Sequence, residues 1–492
     1  MGTPPVNCSS SSVLIVGGSI AGLTSGLMLA RAGHQVTVLE RDAAAVPQDV
    51  EDAASWTRPT VPQAQHAHGF GALSRAILAR RLPDVLGDLL AVGAGEYHLR
   101  QWMPPTAAGA ETITAERTDD LISLGCRRTT FDWVLRQCAL GQPGLTLHDG
   151  VLVTGLVWQS GPIPQVIGVT TREHGTIRAG VVLDASGRRT EWRRWAREAG
   201  VAVDEWDESC EFTGYTRYYR ILHPAVMPRM MRGNVSAQIG DGFFGAAFLA
   251  DNDTVAVVLA RLPQDATLQA LQFPDVFDAA AAVLPPLAPW VDPELTVAIS
   301  PVAVIGGIRN TIRFPLTRGR PRLLGLHALG DALAITNPAY GRGASLAIAQ
   351  AEIVVDGLAA EPDSPLRQAE LVGHRLTELT LPHWRDTVRH DRARINLWRA
   401  TLGLRPSVPP PPTAVPMPVA FAAAAVDAEV WVRLVRVLQV VDPPQAVFDD
   451  PALATRIAGL DLPGPQAPAR REALLAAIDK RAVVRPRRAH VP

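Results

Sequence analysis

Two glycine-containing segments, far apart in the chain, carry residue types that could hold the two ends of one dinucleotide. The first is VLIVGGSIAGL, residues 13–23, followed by GHQVTVLERD, residues 33–42. The second is LHALGDALAITNPAYGRGAS, residues 326–345. Either segment alone is a weak signal, because short glycine motifs also occur by chance. Together they predict one ligand that is bound at both of its ends.

The first segment predicts a strand, a tight turn and a helix. Residues 13–16 form an apolar, β-branched run that ends in glycine, which is typical of a buried parallel strand. The apolar spacing of residues 23–32 is helical, and Gly33 would end that helix. A second apolar strand, residues 36–39, finishes on Glu40. This order is that of the βαβ unit that binds dinucleotides.

Each position that the dinucleotide-binding fingerprint specifies has a physical role. Gly17 would make the turn and Gly22 would let helix and strand pack closely, while free N–H groups at the helix start face a pyrophosphate. Ser19 stands where the fingerprint usually has its second glycine. Glu40 can accept hydrogen bonds from a ribose and repels a 2′-phosphate, which favours FAD or NAD over NADP. The cofactor contacts predicted here are Gly17, Ser19, Ile20, Ala21, Gly22, Glu40 and Arg41.

The second segment distinguishes FAD from NAD. Residues 322–329 predict a strand, and Asp331 would follow at its carboxyl end and hold ribityl hydroxyls. An apolar helix is predicted over residues 344–355, and its N-terminus could stabilise the anionic reduced ring of a flavin. NAD has no ring that needs such stabilisation. The contacts predicted at this end are Asp331, Pro338, Gly341, Gly343 and Ala344.

A third motif, VVLDASGR at residues 181–188, lies between the other two. With it, the chain resembles the flavoprotein monooxygenases of the aromatic hydroxylase fold, which carry a fingerprint at each of these three places. The segments VPQAQHAH (61–68), DASGR and NPAYGRG (337–343) resemble those of bacterial polyether epoxidases of the monensin type. The resemblance implies further cofactor contacts at Asp184 and Arg128.

This resemblance covers roughly residues 10–200 and 320–358, so it implies fold and cofactor more strongly than substrate. It implies a FAD-dependent monooxygenase that inserts one oxygen atom of O2, through a flavin 4a-hydroperoxide, into an apolar natural product. Epoxidation and hydroxylation are both open. Electrons would come from NAD(P)H or from a partner flavin reductase, and both sources stay open because the sequence shows no second dinucleotide fingerprint.

Three side chains are candidate catalytic residues. His66 and His68 titrate near neutral pH and are spaced i, i+2, which would place them on one side of an extended strand. Packing of the cofactor loop is the competing interpretation for this pair, and no metal site is predicted because no third ligand is nearby. Tyr340, in the loop that approaches the flavin, is the third candidate. A base near the substrate would help phenol hydroxylation, whereas epoxidation needs little beyond a dry pocket.

Other classes of function make different demands on the sequence. Flavin halogenases resemble this fold but use an active-site lysine and a WxWxIP segment. The residues 192–195 read WRRW, and Lys480 in the tail is the one lysine among 47 Lys and Arg residues. A flavin reductase that saturates polyprenyl double bonds and a non-catalytic flavin-binding interaction protein remain alternatives.

Composition limits the number of domains, the classes of partner and the cellular location that can be expected. The chain has 492 residues, of which 47% are hydrophobic and 19% charged, so it can bury a large core in two or three domains. A net charge of −1 gives no reason to expect nucleic acid as a partner. The four cysteines lack metal-site spacing, which indicates reduced thiols and a cytoplasmic location. No run reaches membrane-spanning length, and a polar leader is predicted at residues 1–12. The oligomeric state stays open.

The predicted fold class is α/β: a Rossmann-like FAD-binding domain, an antiparallel-sheet substrate domain and a C-terminal helical region. The FAD-binding domain comprises residues 10–80, 110–200 and 320–365; the substrate domain comprises 81–109 and 201–319; the helical region comprises 366–492, with a proline-rich linker at 407–418. Helices are predicted over 69–92 and 128–140, and alternating strands over 212–222, 235–240, 243–250 and 254–262.

The alternating strands carry aromatic residues that could line a pocket for a small apolar substrate. For any one of them, ordinary core packing is the competing role. The pocket candidates are Tyr215, Phe243, Phe244 and Phe248, with Phe212 and Tyr218 beside them in the sequence pattern.

Overall fold

A computed structural model describes residues 12–43, 45–464 and 471–482. The predicted polar leader, apart from residue 12, therefore lies outside the described residues. The architecture is a parallel sheet with helices, a large antiparallel sheet and a helical C-terminal region, which confirms the predicted α/β fold class.

The parallel sheet has five strands, and their spatial order is Leu326–Ala328, Val181–Asp184, Val13–Val16, Val36–Glu40 and Leu145–Asp149. The helix Ile20–Arg31, called the first helix below, connects two neighbouring strands, as the βαβ motif predicts. The outer strand at Leu326 is shorter than the predicted 322–329. Gly325 has a left-handed φ of 72°, which breaks the extended conformation just before Leu326.

The helices account for most of the remaining chain. Their bounds are Ile20–Arg31, Val50–Ala53, Ala72–Arg81, Pro83–Ala91, Arg128–Leu140, Trp192–Glu198, Pro274–Ala282, Gly343–Ala360, Pro365–Thr401, Met417–Ala424, Ala428–Leu438, Gln445–Phe448, Pro451–Ala458 and Arg471–Ala482. The predicted helix over 69–92 is two helices, because Leu82 precedes a proline and leaves the helical region with φ −140° and ψ 56°. The proline-rich segment stays irregular up to Met417.

The antiparallel sheet, called the roof sheet below, follows the predicted strands within about two residues. Its strands in spatial order are Val235–Gly240, Phe243–Leu249, Thr254–Arg261, Thr213–Ile221 and Thr296–Ala298, and Ala303–Ile305 also pairs with Thr213–Ile221. Smaller sheets join Gly95–His98 to Ile122–Gly125, Val153–Gln159 to Gln165–Thr171 and Gly175–Arg178, Glu205–Ser209 to Arg309–Arg313 and Ala334–Ile335, and Leu316–Thr317 to Arg320–Pro321.

The three largest hydrophobic clusters among the described residues hold these layers together. One surrounds the parallel sheet, and a second joins the roof sheet to helix Pro274–Ala282 and to Leu474 and Ile478 of the tail. The third packs Leu99 and Ile113 against the C-terminal helices. Part of the segment assigned by sequence to the substrate domain thus packs on the helical region, and the division into domains remains a prediction.

The helix Gly343–Ala360, called the loop helix, is the one helix within the described residues that is long and apolar enough to cross a membrane. This differs from the expectation that no run has that length. The helix is 67% buried within the protein, where it packs between the first helix and helices Ala72–Arg81 and Pro365–Thr401. Such burial is that of a core helix.

Candidate cofactor and substrate cleft

A cleft of about 2120 Å³, counted to its open mouth, lies between the parallel sheet and the roof sheet. Residues of all three sequence motifs and of segment 61–68 line it. This position, at the carboxyl ends of parallel strands, is where open α/β sheets bind ligands. The roof sheet closes the opposite side.

The first motif forms a turn with no space for side chains. Gly17 has a φ of 106°, and a Cβ there would lie 2.4 Å from the Ala185 carbonyl oxygen. A Cβ on Gly22 would lie 1.9 Å from the Gly17 oxygen, so this glycine sets the close packing of helix on strand. Gly22 itself does not line the cleft, whereas Gly17, Ile20 and Ala21 do.

The first helix presents its N-terminus to the cleft. Ser19, its N-cap residue, makes no side-chain capping bond, and the first turn holds no acidic residue. Backbone N–H groups there are available to an anion. The turn and the helix start therefore fit the pyrophosphate of a dinucleotide.

Ser19 is tied to two charged residues. Its Oγ accepts a hydrogen bond from Arg128 at 2.7 Å and lies 3.3 Å from Asp132 Oδ1. Arg128 also donates to Asp132 at 3.0 Å and lines the cleft, where the resemblance placed it. The serine hydroxyl thus belongs to a polar network at the place where the fingerprint usually has glycine.

Glu40 is held by a residue that the sequence analysis missed. Glu40 Oε2 accepts from the Gly18 N–H at 2.8 Å and from Arg58 at 3.0 Å, and its Oε1 accepts from the Asp42 N–H at 2.9 Å. Arg58 is 5% exposed and also lies 3.4 Å from Asp132. No motif marks Arg58, because its partners stand far from it in the sequence. Glu40 and Arg41 both line the cleft.

The second motif contributes an acid and a second helix start. Asp331 lines the cleft; burial raises the pKa of its carboxyl, while Arg128 and Arg188 lower it. Pro338, Gly341, Gly343 and Ala344 line the cleft as well. The loop helix has no side-chain cap and no acid in its first turn, so its N–H groups also face an anion site.

Asp184 does not line the cleft, which corrects its assignment as a cofactor contact. Its carboxylate accepts hydrogen bonds from the Ser186 N–H at 2.8 Å, the Ser186 hydroxyl at 2.6 Å and the Thr190 hydroxyl at 2.6 Å. These three hydrogen bonds all come from residues of the turn. Asp184 therefore shapes the turn that brings Ser186 and Arg188 to the cleft wall.

Tyr340 is also turned away from the cleft, although Ala339 beside it lines the wall. Its hydroxyl donates to Asp391 Oδ1 at 3.3 Å, and its ring lies 6.1 Å from that of His390. Burial and the nearby Asp391 raise the pKa of the phenol well above its usual value. Tyr340, a catalytic candidate from the sequence, therefore does not reach the cleft in this geometry.

His66 and His68 both line the cleft, but they lie in irregular chain that follows a turn rather than on an extended strand. Burial lowers the pKa of His66 to about 4 and that of His68 to about 3, so both are neutral at pH 7. His68 Nδ1 lies 2.9 Å from the His66 carbonyl oxygen and must donate to it. Its Nε2 then accepts from Arg128 at 3.1 Å. With both nitrogens engaged, His68 fits the packing role better than catalysis.

The roof sheet presents only half of the predicted aromatic residues. Phe244 and Phe248 line the cleft, as does Phe212. Tyr215 and Phe243 do not, and they are 1% and 0% exposed in the cluster on the other face of the sheet. Alternate side chains of a strand point to opposite faces, so neighbours in sequence are separated here. The pocket assignment of Tyr215 and Phe243 is therefore wrong.

The helix Pro365–Thr401, called the long helix, supports the loop that precedes the loop helix. Asp391 accepts from Asn310 and Asn337, each at 2.7 Å. Arg342 is 1% exposed and lies 2.7 Å from Asp386. The sequence analysis missed this support. The acids at 386 and 391 were the one signal in the sequence that could have indicated it.

Within the described residues, no group of three or more metal-ligating side chains occurs. The described cysteines, Cys126, Cys138 and Cys210, are free thiols. Lys480 is exposed on the tail helix and is not among the residues of the cleft.

Comparison with known proteins supports the interpretation of the cleft as a FAD-binding site. Residues 10–53 match the family described as FAD binding domain. No curated protein matches the chain. These residues include the turn, the first helix and Glu40, so the match covers the first of the two cofactor motifs.

Similar solved structures cover most of the chain. The flavin-dependent brominase Bmp2 superposes with a TM-score of 0.61 at 14% identity, covering 91% of this chain and 98% of that one. PqsL, a probable FAD-dependent monooxygenase from Pseudomonas aeruginosa, gives 0.52 at 15%, covering 80% and 99%. The Diels-Alderase PyrE3 gives 0.55 at 18%, covering 88% and 81%. The chain thus has the FAD-binding fold of the aromatic hydroxylase type.

Proposed function

We propose that this protein is a FAD-dependent monooxygenase that inserts one oxygen atom of O2 into an apolar natural product. The observation that carries the proposal is that the two sides of the cleft differ in chemistry. One side offers two uncapped helix starts, Gly17 and two acids, Glu40 and Asp331, which suit FAD. The other side is the uncharged wall of the roof sheet. Reduced FAD, when bound, supplies the activation of O2.

The residues of the cleft would bind and orient the two partners. The N–H groups of the first helix would hold the pyrophosphate, Glu40 a ribose and Asp331 the ribityl chain. The loop helix would direct its N-terminus to the flavin ring. Phe244 and Phe248 exclude water from the substrate side, which protects a reactive oxidant from side reactions.

The cleft favours epoxidation over phenol hydroxylation. A phenol gains from a nearby base. Of the three candidates, His66 and His68 are weak proton acceptors, because burial lowers their pKa values to about 4 and 3, and Tyr340 is turned away. An alkene needs no such base. Lys480 lies outside the cleft, which argues against a halogenase that relays halogen through a lysine.

Oxygen labelling tests the reaction class. The FAD-loaded protein is reduced, by NAD(P)H or by an added flavin reductase, and mixed with ¹⁸O2 and the alkene probes styrene and indene. We expect a product with one labelled atom from O2 and none from labelled water. Free reduced FAD is the control. An unlabelled product, turnover without O2, or turnover that requires chloride would contradict the proposal, the last two pointing to a reductase or a halogenase.

We predict that Glu40→Ala weakens FAD binding by about 1–3 kcal/mol, because charge-assisted hydrogen bonds are lost. Glu40 would lose its ribose contacts, and Arg58 would lose a carboxylate partner at 3.0 Å. Titration of apoprotein with FAD measures the effect. Glu51→Ala, an exposed carboxylate in the neighbouring helix, is the control that should bind FAD normally. Equal Kd values for wild type and Glu40→Ala would refute the assignment of this residue.

A further inference from the structure

The cleft-facing surface of the roof sheet and its adjoining loops is uncharged, and it holds a single side-chain hydroxyl. The residues of this region that line the cleft are Phe212, Gly214, Thr216, Phe244, Phe248, Val258, Ile305 and Ile308. Thr216 is 2% exposed, so its hydroxyl is enclosed rather than solvated. A lone polar group in such a wall needs a partner.

That partner is His66, from the segment on the cofactor side of the cleft. His66 Nδ1 lies 2.9 Å from Thr216 Oγ1. The His66 carbonyl oxygen accepts from Tyr218 at 3.1 Å and from His68 at 2.9 Å. Hydrogen bonds therefore hold both the ring and the backbone of His66, and the residue, 7% exposed, lines the cleft.

This arrangement leaves Nε2 as the free hydrogen-bonding atom of the His66 ring. Among the described residues, Nε2 has no hydrogen-bond partner, and it is not one of the fully enclosed polar atoms that lack one. Nδ1 is taken by Thr216. A rigid ring with one free nitrogen on an otherwise apolar surface is a recognition group for a ligand.

We propose that His66, fixed by Thr216, recognises one uncharged hydroxyl group on an otherwise apolar substrate. The inference rests on the proposed function, because it assigns the substrate side of the same cleft. His66 would then be a specificity-determining residue that sets which part of the substrate faces the cofactor.

The charge state of His66 selects a hydroxyl over an ionised group. Burial lowers its pKa to about 4, so the ring is neutral at pH 7 and offers one donor or one acceptor according to its tautomer. A hydroxyl can pair with either tautomer, since it both donates and accepts. A carboxylate would lose its hydration against a wall with no cation, and an ammonium would meet no anion there.

Three probes with one carbon skeleton test the proposal: indane, 2-indanol and indane-2-carboxylate. Their binding to the FAD-loaded protein is followed by the visible spectrum of oxidised FAD, without turnover. We expect 2-indanol to bind roughly fivefold more tightly than indane, as one neutral hydrogen bond allows. The carboxylate should bind at least roughly tenfold more weakly than the alcohol.

Variants test whether His66 and Thr216 cause the preference for 2-indanol over indane. His66→Phe should bring the ratio of alcohol to hydrocarbon affinity to about one or below, and Thr216→Val, a smaller change, should lower it. Phe248→Leu is the control: it removes apolar contact area, so it should weaken indane and 2-indanol equally. If His66→Phe cannot be loaded with FAD, the affinity ratio of Thr216→Val alone tests the proposal.

An unchanged alcohol preference in the loaded His66→Phe or Thr216→Val protein would overturn the inference. So would tighter binding of the carboxylate than of the alcohol. Failure of the proposed function is a separate result, seen as no FAD binding or no ¹⁸O transfer. In that case tryptophan fluorescence reports probe binding, and the same ratios still support or overturn the role of His66.

Discussion

Gly22→Ala is expected to weaken FAD binding roughly 100-fold or more. The new Cβ would lie 1.9 Å from the Gly17 carbonyl oxygen and 3.3 Å from Ile15 Cγ2. The carbonyl cannot yield, because Gly17 is itself held at a φ of 106° against Ala185. The first helix must then move away from its strand. Overpacking of this kind costs about 1–3 kcal/mol, and because FAD binding requires the undistorted turn, the cost falls on the binding free energy, where about 3 kcal/mol corresponds to roughly 100-fold.

Gly26→Ala is the matched control for this prediction. It lies one turn further along the same helix, and its added Cβ would meet the end of the Leu145 side chain at 3.1 Å. A flexible side chain can move by a few tenths of an ångström, so FAD binding should be nearly normal. The measurement is FAD titration of the apoproteins, with circular dichroism to show that both variants fold. Normal affinity in Gly22→Ala would show that the turn does not hold the cofactor.

Asp386→Asn is expected to destabilise the protein by about 3–5 kcal/mol, because it leaves a buried cation without its counter-charge. Asp386 lies 2.7 Å from Arg342, and their side chains are 2% and 1% exposed. Arg342 holds the pKa of Asp386 at about 2, so the carboxylate is charged throughout the neutral range. Arg342 is also the N-cap residue of the loop helix. FAD affinity should therefore fall together with the free energy of unfolding.

Two comparisons isolate the effect of charge burial. Glu198→Gln makes the same chemical change in an exposed pair with Arg194, and it should leave stability nearly unchanged. The double variant Arg342→Met with Asp386→Leu removes both charges, so it should be more stable than Asp386→Asn. Urea unfolding of the FAD-free proteins gives the free energies. A double variant less stable than the single one would refute the interpretation.

Local patterns in the sequence were enough to predict the elements around the cleft. The apolar run at 13–16, the acid at Glu40 and the helix ending before Gly33 follow from strand period and turn chemistry. The roof strands follow from alternation in the same way. These signals act between near neighbours, so a single sequence displays them.

Roles that depend on contacts across the chain were predicted less well. Asp184 and Tyr340 stand inside cofactor motifs, yet their side chains point to Thr190 and Asp391 and not to the cleft. Arg58 and Asp386 carry no motif, yet each pairs with a charged residue at the cleft. A motif predicts where the backbone runs, whereas a side chain follows the partners that packing brings to it.

The sequence by itself determined the fold class and the two glycine-containing segments that meet at the cleft, because glycine conformation and apolar period are local properties of the chain. Only the tertiary structure decided which face of the roof sheet meets the cleft. A shift of one residue exchanges the faces of a strand, so Thr216 and Phe244 line the cleft while Tyr215 and Phe243 enter the core. The pairing of His66 with Thr216 arises in the same way, because packing alone brings these distant segments together.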